Sequence, residues 1–393
     1  MSVGSLRVLI APDSFKGSLS SVDVARALAE GWVRARPGDE LVLAPLADGG
    51  EGTLAAIAES GGWEWRECQA HDPLGRPLTA RWLRSTDGTR AAVELAEASG
   101  LSRLPRDEPR NPVAATTEGT GEILRAVLDA GVSHVMIGIG GSATTDGGAG
   151  LLRGLGARLG GGPVATAARP AMNTTYVDLS SLDPRLAQIE LRVACDVTNP
   201  LLGAEGAAAV YGPQKGAWPE DVAALEAGLA RYADMLEAAS GVRARDRAGA
   251  GAAGGTGFAL MCLTPRLRSF ELIPGVALVM QETGFDEHLA DADLVITGEG
   301  RVDAQTAFGK TAFGVARRAA AASVPCLAIG GSVTPEGAAV MIAEGAVAMP
   351  VLDRPMSLAE AMGEVSSLVV AAAERLARLV EIGGAVAVRS SRP

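Results

Sequence analysis

A glycine-rich stretch near the middle of the chain, IGIGGSATTDGGAG at residues 137–150, constrains the fold more than any other segment. It holds six glycines and a single acid, Asp146, and it follows an apolar run that predicts a β-strand. Glycines let a backbone approach a ligand closely and adopt left-handed conformations. The pattern therefore predicts a buried strand that ends in a functional loop.

The succession of apolar strand, glycine-rich loop and helix recurs along the chain. In open parallel sheets, ligands bind beyond the carboxyl ends of the strands, where helix N-termini offer N–H groups to anions. The loops of this kind are PDSFKGS (12–18), ADGGEGT (47–53), GGSATTDGG (140–148), CDVTNPLLG (195–203), GPQKGA (212–217), GAAGGTG (251–257), TGEGRVD (297–303) and IGGS (329–332). A single acid in such a loop is more often a helix N-cap than a catalyst, so the functional hypothesis rests on the coincidence of many loops.

The length and the order of the predicted elements indicate two domains. A chain of 393 residues is long for one domain. Residues 1–66 and 288–393 both alternate strands with helices, which together predicts one doubly wound parallel sheet of five strands. Residues 67–287 start with an antiparallel signature and predict a second α/β domain inserted into the first. The cleft between the two domains is the expected active site.

Two finer predictions concern helices. The periodicity predicts a helix at about 149–158 and a long helix at about 357–381. The tail after about residue 383 is expected to fray.

Composition and charge argue against several classes of protein. A formal net charge of −11 and an aromatic content of 4% disfavour nucleic acid and anionic membranes as partners. The four cysteines form no CxxC pair, which gives no zinc or disulfide pattern and fits a cytoplasmic protein. No apolar run reaches the length of about 18 residues that a membrane span needs. A homodimer is left open.

Lysine and histidine usage narrows the chemistry. The three histidines are isolated in the sequence, so catalysis is expected to use carboxylates, lysine, arginine and hydroxyl groups. Of the 35 basic residues only Lys16, Lys215 and Lys310 are lysines, and each lies in a glycine-containing motif. A compact ammonium next to glycines suits phosphate binding.

Two nucleotide-binding motifs match this sequence only in part. Residues 138–143 match G-x-G-x-x-A, but no acid occurs in 158–177, where the dinucleotide fingerprint needs one for the ribose. The FGKT at 308–311 ends like a Walker A loop, yet Ala304 stands where that loop opens with glycine. Glycine loops, lysines and carboxylates without histidine remain, and they indicate Mg²⁺-dependent phosphoryl transfer.

Seven motifs then carry a resemblance to a known family. The chain resembles the bacterial glycerate kinase family, type 1, over residues 6–380 through DSFKGSLS (13–20), LADGGEGT (46–53), GIGGSATTDGGAG (138–150), CDVTNPL (195–201), GPQKGA (212–217), GGTGFAL (254–260) and TGEGRVDAQTAFGK (297–310). The resemblance implies transfer of the γ-phosphoryl group of ATP to D-glycerate with Mg²⁺. The implied product is 2-phosphoglycerate, with 3-phosphoglycerate kept as the alternative. The implied fold is a flavodoxin-like domain, discontinuous in sequence, interrupted by a second α/β domain that is similar to restriction endonucleases.

The hypothetical roles of the residues follow from their chemistry. We expect the loop at 140–148 to bind the ATP phosphates and Lys16 to neutralise the transferring group. The predicted ATP-binding residues are Gly140, Gly141, Ser142, Thr144, Thr145, Lys215, Gly254 and Gly255. The predicted metal ligands are Asp146, Asp196 and Asp303. The predicted catalytic residues are Lys16, Asp48, Asp196 and Asp303, with Asp48 as base, and the predicted glycerate-binding residues are Asp13, Ser14, Glu299, Arg301 and Lys310.

Three other functions stay open at this stage. A nicotinamide-dependent hydroxyacid oxidoreductase would bind the same class of substrate, although the ribose acid is missing. A Mg²⁺-dependent phosphatase would use the same carboxylates. A non-enzymatic sensor of phosphorylated metabolites would need only the loops.

Overall fold

The computed structural model describes residues 4–105, 107–160, 174–304, 306 and 311–390. The predicted site residue Lys310 lies outside the described residues. The chain divides into two compact units. Unit 1 comprises Met1–Asp48, Ala55–Gly61 and Val276–Pro393, and unit 2 comprises Gly49–Leu54 and Gly62–Gly275. The domain bounds expected from the sequence stay a prediction.

The strands are given first, in chain order. They are β1 (Arg7–Ile10), β2 (Glu40–Leu43), β3 (Trp63–His71), β4 (Pro77–Ser85), β5 (Arg90–Glu94), β6 (His134–Gly138), β7 (Arg158–Gly160), β8 (Tyr176–Asp178), β9 (Glu190–Ala194), β10 (Ser269–Ile273), β11 (Leu294–Val302), β12 (Cys326–Val333) and β13 (Ala346–Pro350).

The α-helices follow in the same order. They are α1 (Ser21–Ala35), α2 (Thr53–Glu59), α3 (Ala96–Ser99), α4 (Glu118–Asp129), α5 (Ala149–Gly154), α6 (Ala207–Tyr211), α7 (Pro219–Ser240), α8 (Ala252–Cys262), α9 (Gly275–Glu282), α10 (Phe285–Ala290), α11 (Thr311–Ala321), α12 (Pro335–Ala343), α13 (Leu358–Gly363) and α14 (Val365–Ser390).

Unit 1 contains a parallel sheet in the order β13-β12-β11-β1-β2. Each neighbouring pair is parallel, with Val8 opposite both Leu294 and Leu41. The central strands read as nearly continuous apolar runs because helices cover both faces of such a sheet. The α/β class with parallel strands, predicted from the two ends of the sequence, is confirmed.

One face of this sheet is covered by the packing of α1 against α14. Trp32 of α1 and Val369 of α14 are fully buried in a cluster that also holds Val8 and Ile10 of the sheet. The two helices approach closely at Gly31, where a Cβ atom would lie 2.0 Å from the backbone oxygen of Val370. This close approach explains why a residue without a side chain occupies the middle of α1.

Unit 2 contains a mixed sheet in the order β10-β9-β6-β5-β4-β3. The strands β3, β4 and β5 pair antiparallel, as predicted from the turns in residues 65–97. The strands β5, β6, β9 and β10 are parallel, so their carboxyl ends lie at one edge. The glycine-rich loop that follows β6 begins at this edge.

Some predicted helix bounds are wrong. The helix expected at about 149–158 ends at Gly154, and β7 begins four residues later. The long helix expected at 357–381 is two helices, because a capping box at Ser357 and Glu360 starts the short α13. The next helix, α14, continues to Ser390, so the tail that is expected to fray after residue 383 is helical as far as it is described. Among the described residues, no helix is long and apolar enough to cross a membrane.

We predict that Gly31→Ala lowers the free energy of unfolding by about 1–3 kcal/mol, because the new methyl group forces α1 and α14 apart. Gly38→Ala is the matched control, since nothing lies within 4 Å of a Cβ atom there. Chemical denaturation of both variants measures the difference. Equal stability of the two variants would contradict the packing argument.

Candidate active site

An acid–lysine cluster lies at the carboxyl edge of the parallel sheet in unit 1. Asp13 and Lys16 follow β1, Asp48 follows β2, and Glu299 lies in the second half of β11. These three strands are neighbours and parallel, so their carboxyl ends meet at one edge. Four residues that the sequence singled out separately are therefore brought together.

The Lys16 side chain forms an ion pair at this edge. Its Nζ lies 3.1 Å from Oδ2 of Asp48, and the two side chains are 79% and 37% exposed. The Asp48 carboxylate raises the pKa of Lys16, and the negative charges of Asp13 and Glu299 act in the same direction. The ammonium is therefore both charged and accessible to a ligand.

Asp13 is buried next to this pair. Its Oδ2 accepts a hydrogen bond from the Thr311 hydroxyl at 2.6 Å, and its Oδ1 accepts one from the Ser14 N–H at 2.6 Å. Burial raises the pKa of Asp13, and the nearby Asp48 carboxylate raises it further. The cluster thus holds more carboxylates than ammonium groups, which favours the binding of a cation.

Glu299 and Asp303 share one hydroxyl group. The Thr306 hydroxyl donates to Oε1 of Glu299 at 2.7 Å and accepts the Asp303 N–H at 3.0 Å. Arg301 lies between them in sequence and forms an ion pair with Asp303, with 3.0 Å between Nε and Oδ2. The guanidinium side chain is 67% exposed, so it is open to a substrate carboxylate.

The glycine-rich loop of unit 2 is organised around Asp146, which is 3% exposed. Its Oδ2 accepts the N–H and the hydroxyl of Thr117, both at 2.8 Å, and the Gly150 N–H at 3.1 Å. Its Oδ1 accepts the Gly148 N–H at 3.1 Å. A carboxylate that is buried and bonded to this many protein donors organises the loop, and the metal-binding role predicted for Asp146 stays a prediction.

Other backbone groups of the same loop also bond to protein. The N–H of Gly140 donates to the Gly49 oxygen at 3.1 Å, and the N–H of Gly147 donates to the Gly254 oxygen at 2.9 Å. The loop is buried from Ser142 to Gly150, whereas Gly141 is exposed. The part of the loop that a nucleotide can reach is therefore its first turn.

Lys215 is buried against this loop. Its Nζ donates to the Ser142 hydroxyl at 2.8 Å and to the Thr144 backbone oxygen at 2.5 Å. Burial lowers the pKa of Lys215 to about 7, although the charge of Asp146 opposes the shift. The side chain is 3% exposed, so this lysine supports the loop from inside.

Gly254 and Gly255 pack on the loop from another side. Together with Ala253 they form three successive left-handed residues, with φ of 51°, 66° and 94°. A Cβ atom at Gly254 would lie 1.9 Å from the Thr144 oxygen. These glycines are required for backbone packing, and their predicted contact with ATP stays a prediction.

The hydroxyl groups of Thr144 and Thr145 are buried without a hydrogen-bond partner, as judged over the described residues. The two side chains are 0% and 1% exposed. Buried hydroxyls normally have partners, so these two are donors that a buried water molecule could satisfy.

The predicted metal set is not assembled in the part of the chain that the structure describes. No group of three or more His, Cys, Asp or Glu residues is placed to hold a metal ion there. Asp146 is bonded as described above, and Oδ1 of Asp196 accepts the N–H of Gly275 at the start of α9, at 2.8 Å. Each of these acids is engaged separately with the protein.

Sequence reasoning missed three residues. Thr306 and Thr311 bond to Glu299 and Asp13. The available signal was that Thr306 lies in the motif at 297–310 that contains Glu299 and that Thr311 directly follows this motif. Glu94, at the end of β5, is 4% exposed. It binds the N–H of Gly52, in the ADGGEGT loop, and the N–H of Leu54, which directly follows that loop. An acid that ends a buried strand was the only signal for Glu94 in the sequence.

Comparison with known proteins shows the family to which this chain belongs. The model of the glycerate kinase family matches residues 8–381. The chain belongs to the glycerate kinase family. The glycerate kinase of Halalkalibacterium halodurans is 43% identical over 94% of this chain and 97% of its own length. The glycerate 2-kinase of Escherichia coli K12 is 44% identical over 84% of this chain and 86% of its own length.

A solved glycerate kinase structure is also similar. It is a crystal structure provisionally named glycerate kinase 2, from Salmonella typhimurium LT2, with a TM-score of 0.81 and 40% identity. The match covers 97% of this chain and 99% of that one. The resemblance to this family that the seven motifs indicated is confirmed.

We predict that Lys215→Met changes stability in a pH-dependent way. The folded pKa of about 7 lies below the usual 10.5, so the unfolded chain holds a proton that the folded protein releases between these values. The wild-type protein therefore gains up to about 1.4 kcal/mol per pH unit, relative to the variant, as the pH rises from 7 towards 10.

Thermal unfolding at pH 7 and pH 9 measures this difference. The change in Tm caused by the substitution should be more unfavourable at pH 9 than at pH 7. Arg110→Met, which removes an exposed cation bonded to the Gln214 backbone, is the control and should show no such trend. A Lys215→Met effect that is the same at both pH values would contradict the buried position of the ammonium.

Proposed function

We propose that this protein is an ATP-dependent kinase that transfers the γ-phosphoryl group of ATP to D-glycerate, giving 2-phosphoglycerate and ADP. The observation that carries the proposal is the accessible Lys16–Asp48 ion pair, flanked by Asp13 and Glu299, in a chain of the glycerate kinase family. The relative from Escherichia coli that is named glycerate 2-kinase supports the choice of the 2-hydroxyl group. Formation of 3-phosphoglycerate is the alternative.

The chemistry of phosphoryl transfer suits this cluster. The reaction depends on positioning and on neutralising the charge of the transferring group, and it needs no histidine. We assign the neutralising role to the Lys16 ammonium, which is charged and exposed. The glycerate hydroxyl oxygen bonds to the γ-phosphorus, the bond from that phosphorus to ADP breaks, and Asp48 accepts the hydroxyl proton.

We assign the binding of the glycerate carboxylate to Arg301. A planar guanidinium matches a carboxylate, and this side chain is exposed although its Nε is paired with Asp303. Asp13 and Ser14 stay predicted glycerate-binding residues, and the Ser14 N–H donates a hydrogen bond to Asp13. Lys310 stays a predicted contributor.

The residues present also fit a magnesium ion that arrives with ATP. Mg²⁺ is commonly held by one or two carboxylates together with substrate phosphates, so a site of three acids is not required. Glu299 and Asp303 are the pair we propose. The Thr306 hydroxyl bonds to the carboxylate of Glu299 and to the backbone N–H of Asp303. The ion would supply charge neutralisation of the phosphates when bound.

We propose a divided role for the glycine-rich loop of unit 2. Its first turn, where Gly140 is partly buried and Gly141 is exposed, is the part assigned to the nucleotide. Asp146, Lys215 and the glycines at 254–255 hold the loop in shape, as their hydrogen bonds and burial support. Thr144 and Thr145 stay predicted contributors, since their hydroxyls are buried and have no hydrogen-bond partner among the described residues.

The finer fold assignment is likewise a proposal. When the strands of the unit 1 sheet are numbered along the chain, their order is 2-1-3-4-5, which supports a flavodoxin-like assignment. The likeness of the inserted domain to restriction endonucleases, the cytoplasmic location and the homodimer stay predictions from the sequence.

The reaction is tested by incubating the purified protein with ATP, Mg²⁺ and D-glycerate and following ³¹P NMR. We expect a signal of 2-phosphoglycerate together with ADP. A signal of 3-phosphoglycerate would change the regiochemistry alone. Absorbance change at 340 nm with a nicotinamide cofactor and without ATP would indicate an oxidoreductase, phosphate release from phosphoglycerate without ADP would indicate a phosphatase, and binding without turnover would indicate a sensor.

We predict that Lys16→Met lowers kcat by at least about a hundredfold while the Tm stays near that of the wild type, because an exposed side chain contributes little to stability. Arg34→Met is the matched control, since it removes an exposed cation of α1 that pairs with Glu30. Steady-state kinetics and thermal unfolding of both variants make the comparison. Near-normal turnover of Lys16→Met would remove this residue from the catalytic group.

A further inference from the structure

Glu94 is a buried acid that none of the proposed steps uses. It ends β5, it is 4% exposed, and its Oε1 accepts the Leu54 N–H at 2.6 Å. The Gly52 N–H also donates to this carboxylate. Both donors belong to residues 49–54, which we call the Gly49–Leu54 turn, so one side chain fixes the end of that turn.

The start of the Gly49–Leu54 turn is fixed by close backbone packing. The Gly49 oxygen accepts the Gly140 N–H at 3.1 Å. A Cβ atom at Gly49, where φ is +83°, would lie 2.6 Å from the Ala194 methyl group, and one at Gly140 would lie 2.6 Å from the Gly50 Cα. The turn therefore has little freedom to move at either end.

We infer that Glu94 is a positioning residue of the proposed kinase, which fixes the Gly49–Leu54 turn and thereby the backbone from which the Asp48 carboxylate reaches Lys16. Asp48 directly precedes this turn in the chain, and its side chain lies 3.1 Å from the Lys16 ammonium. The inference rests on the proposed function. Glu94 acts through Asp48 and needs no contact with substrate.

The electrostatics of Glu94 give this role a pH dependence. Burial raises the pKa of Glu94 to about 7, the charges of Glu97 and Glu51 raise it too, and the N–H groups of Leu54 and Gly52 oppose the shift. The ionised form accepts both N–H groups more strongly than the protonated form does. The two hydrogen bonds that hold the turn should therefore weaken as the pH falls through about 7, and kcat should fall with them.

The same shift has an opposite consequence for stability. A folded pKa above the usual 4.5 means that the folded protein binds this proton more tightly than the unfolded chain does. The contribution of Glu94 to stability is fully present below pH 4.5 and is lost as the pH rises through about 7. A neutral glutamine avoids the cost of a buried charge, so it should not lower stability at pH 8.

The test compares Glu94→Gln with Glu97→Gln. Glu97 is a matched acid, 7% exposed, that forms ion pairs with Arg81 and Arg103. For Glu94→Gln at pH 8 we expect a kcat about tenfold lower, an unchanged KM for D-glycerate, and a Tm equal to or above that of the wild type. The decline of kcat below pH 7 should also disappear. For Glu97→Gln we expect the reverse, a lower Tm with wild-type kcat.

Two results would overturn the inference. One is a Glu94→Gln enzyme with a kcat within twofold of the wild type at pH 8. The other is a joint loss of kcat and Tm in Glu94→Gln, since that would reduce Glu94 to a structural residue. If the wild-type protein does not phosphorylate D-glycerate, the proposed function is wrong. That result is distinct from the two above, which need an active wild-type protein.

Discussion

The burial of the Asp146 carboxylate is the constraint on which the glycine-rich loop of unit 2 depends. A charge in the interior is tolerated only when donors surround it, and here the backbone and hydroxyl of Thr117 and the N–H groups of Gly148 and Gly150 provide them. All three of these N–H groups belong to helix starts, where the helix dipole also favours a negative charge. The N–H groups of the loop therefore bind a carboxylate that belongs to the loop itself. Its glycines allow close packing of the backbone as well as the approach of a ligand.

The two units contribute different kinds of site. Unit 1 provides exposed, strongly charged groups at the carboxyl edge of a parallel sheet, where Lys16 and Asp48 form their ion pair. Unit 2 provides a loop whose charged groups, Asp146 and Lys215, are buried and paired with protein atoms. Exposed charged groups suit catalysis, and a fixed backbone suits the binding of a nucleotide. The proposed roles of the two units follow this difference.

The sequence was informative wherever one signal had one physical meaning. Apolar runs such as LVIT predicted the parallel strands, which the structure confirms. The phosphate-binding role of Lys16 stays a prediction, and the structure adds that this lysine is exposed. It was uninformative wherever two structures share a pattern. A carboxylate among glycines looks the same whether it binds Mg²⁺ or backbone N–H groups, as Asp146 does. Glu94 could not be found either, because its partners lie 40 residues away in the chain.

The two lysines that the structure describes have opposite environments, and this has a consequence for chemical modification. Lys16 is open to solvent but is kept protonated by Asp48. Lys215 releases its proton near neutral pH but is enclosed by the loop that it supports. Acylating reagents need an amine that is both reachable and uncharged, and neither of these two side chains meets both conditions. Both should therefore be slow to acylate with amine-reactive labels near neutral pH.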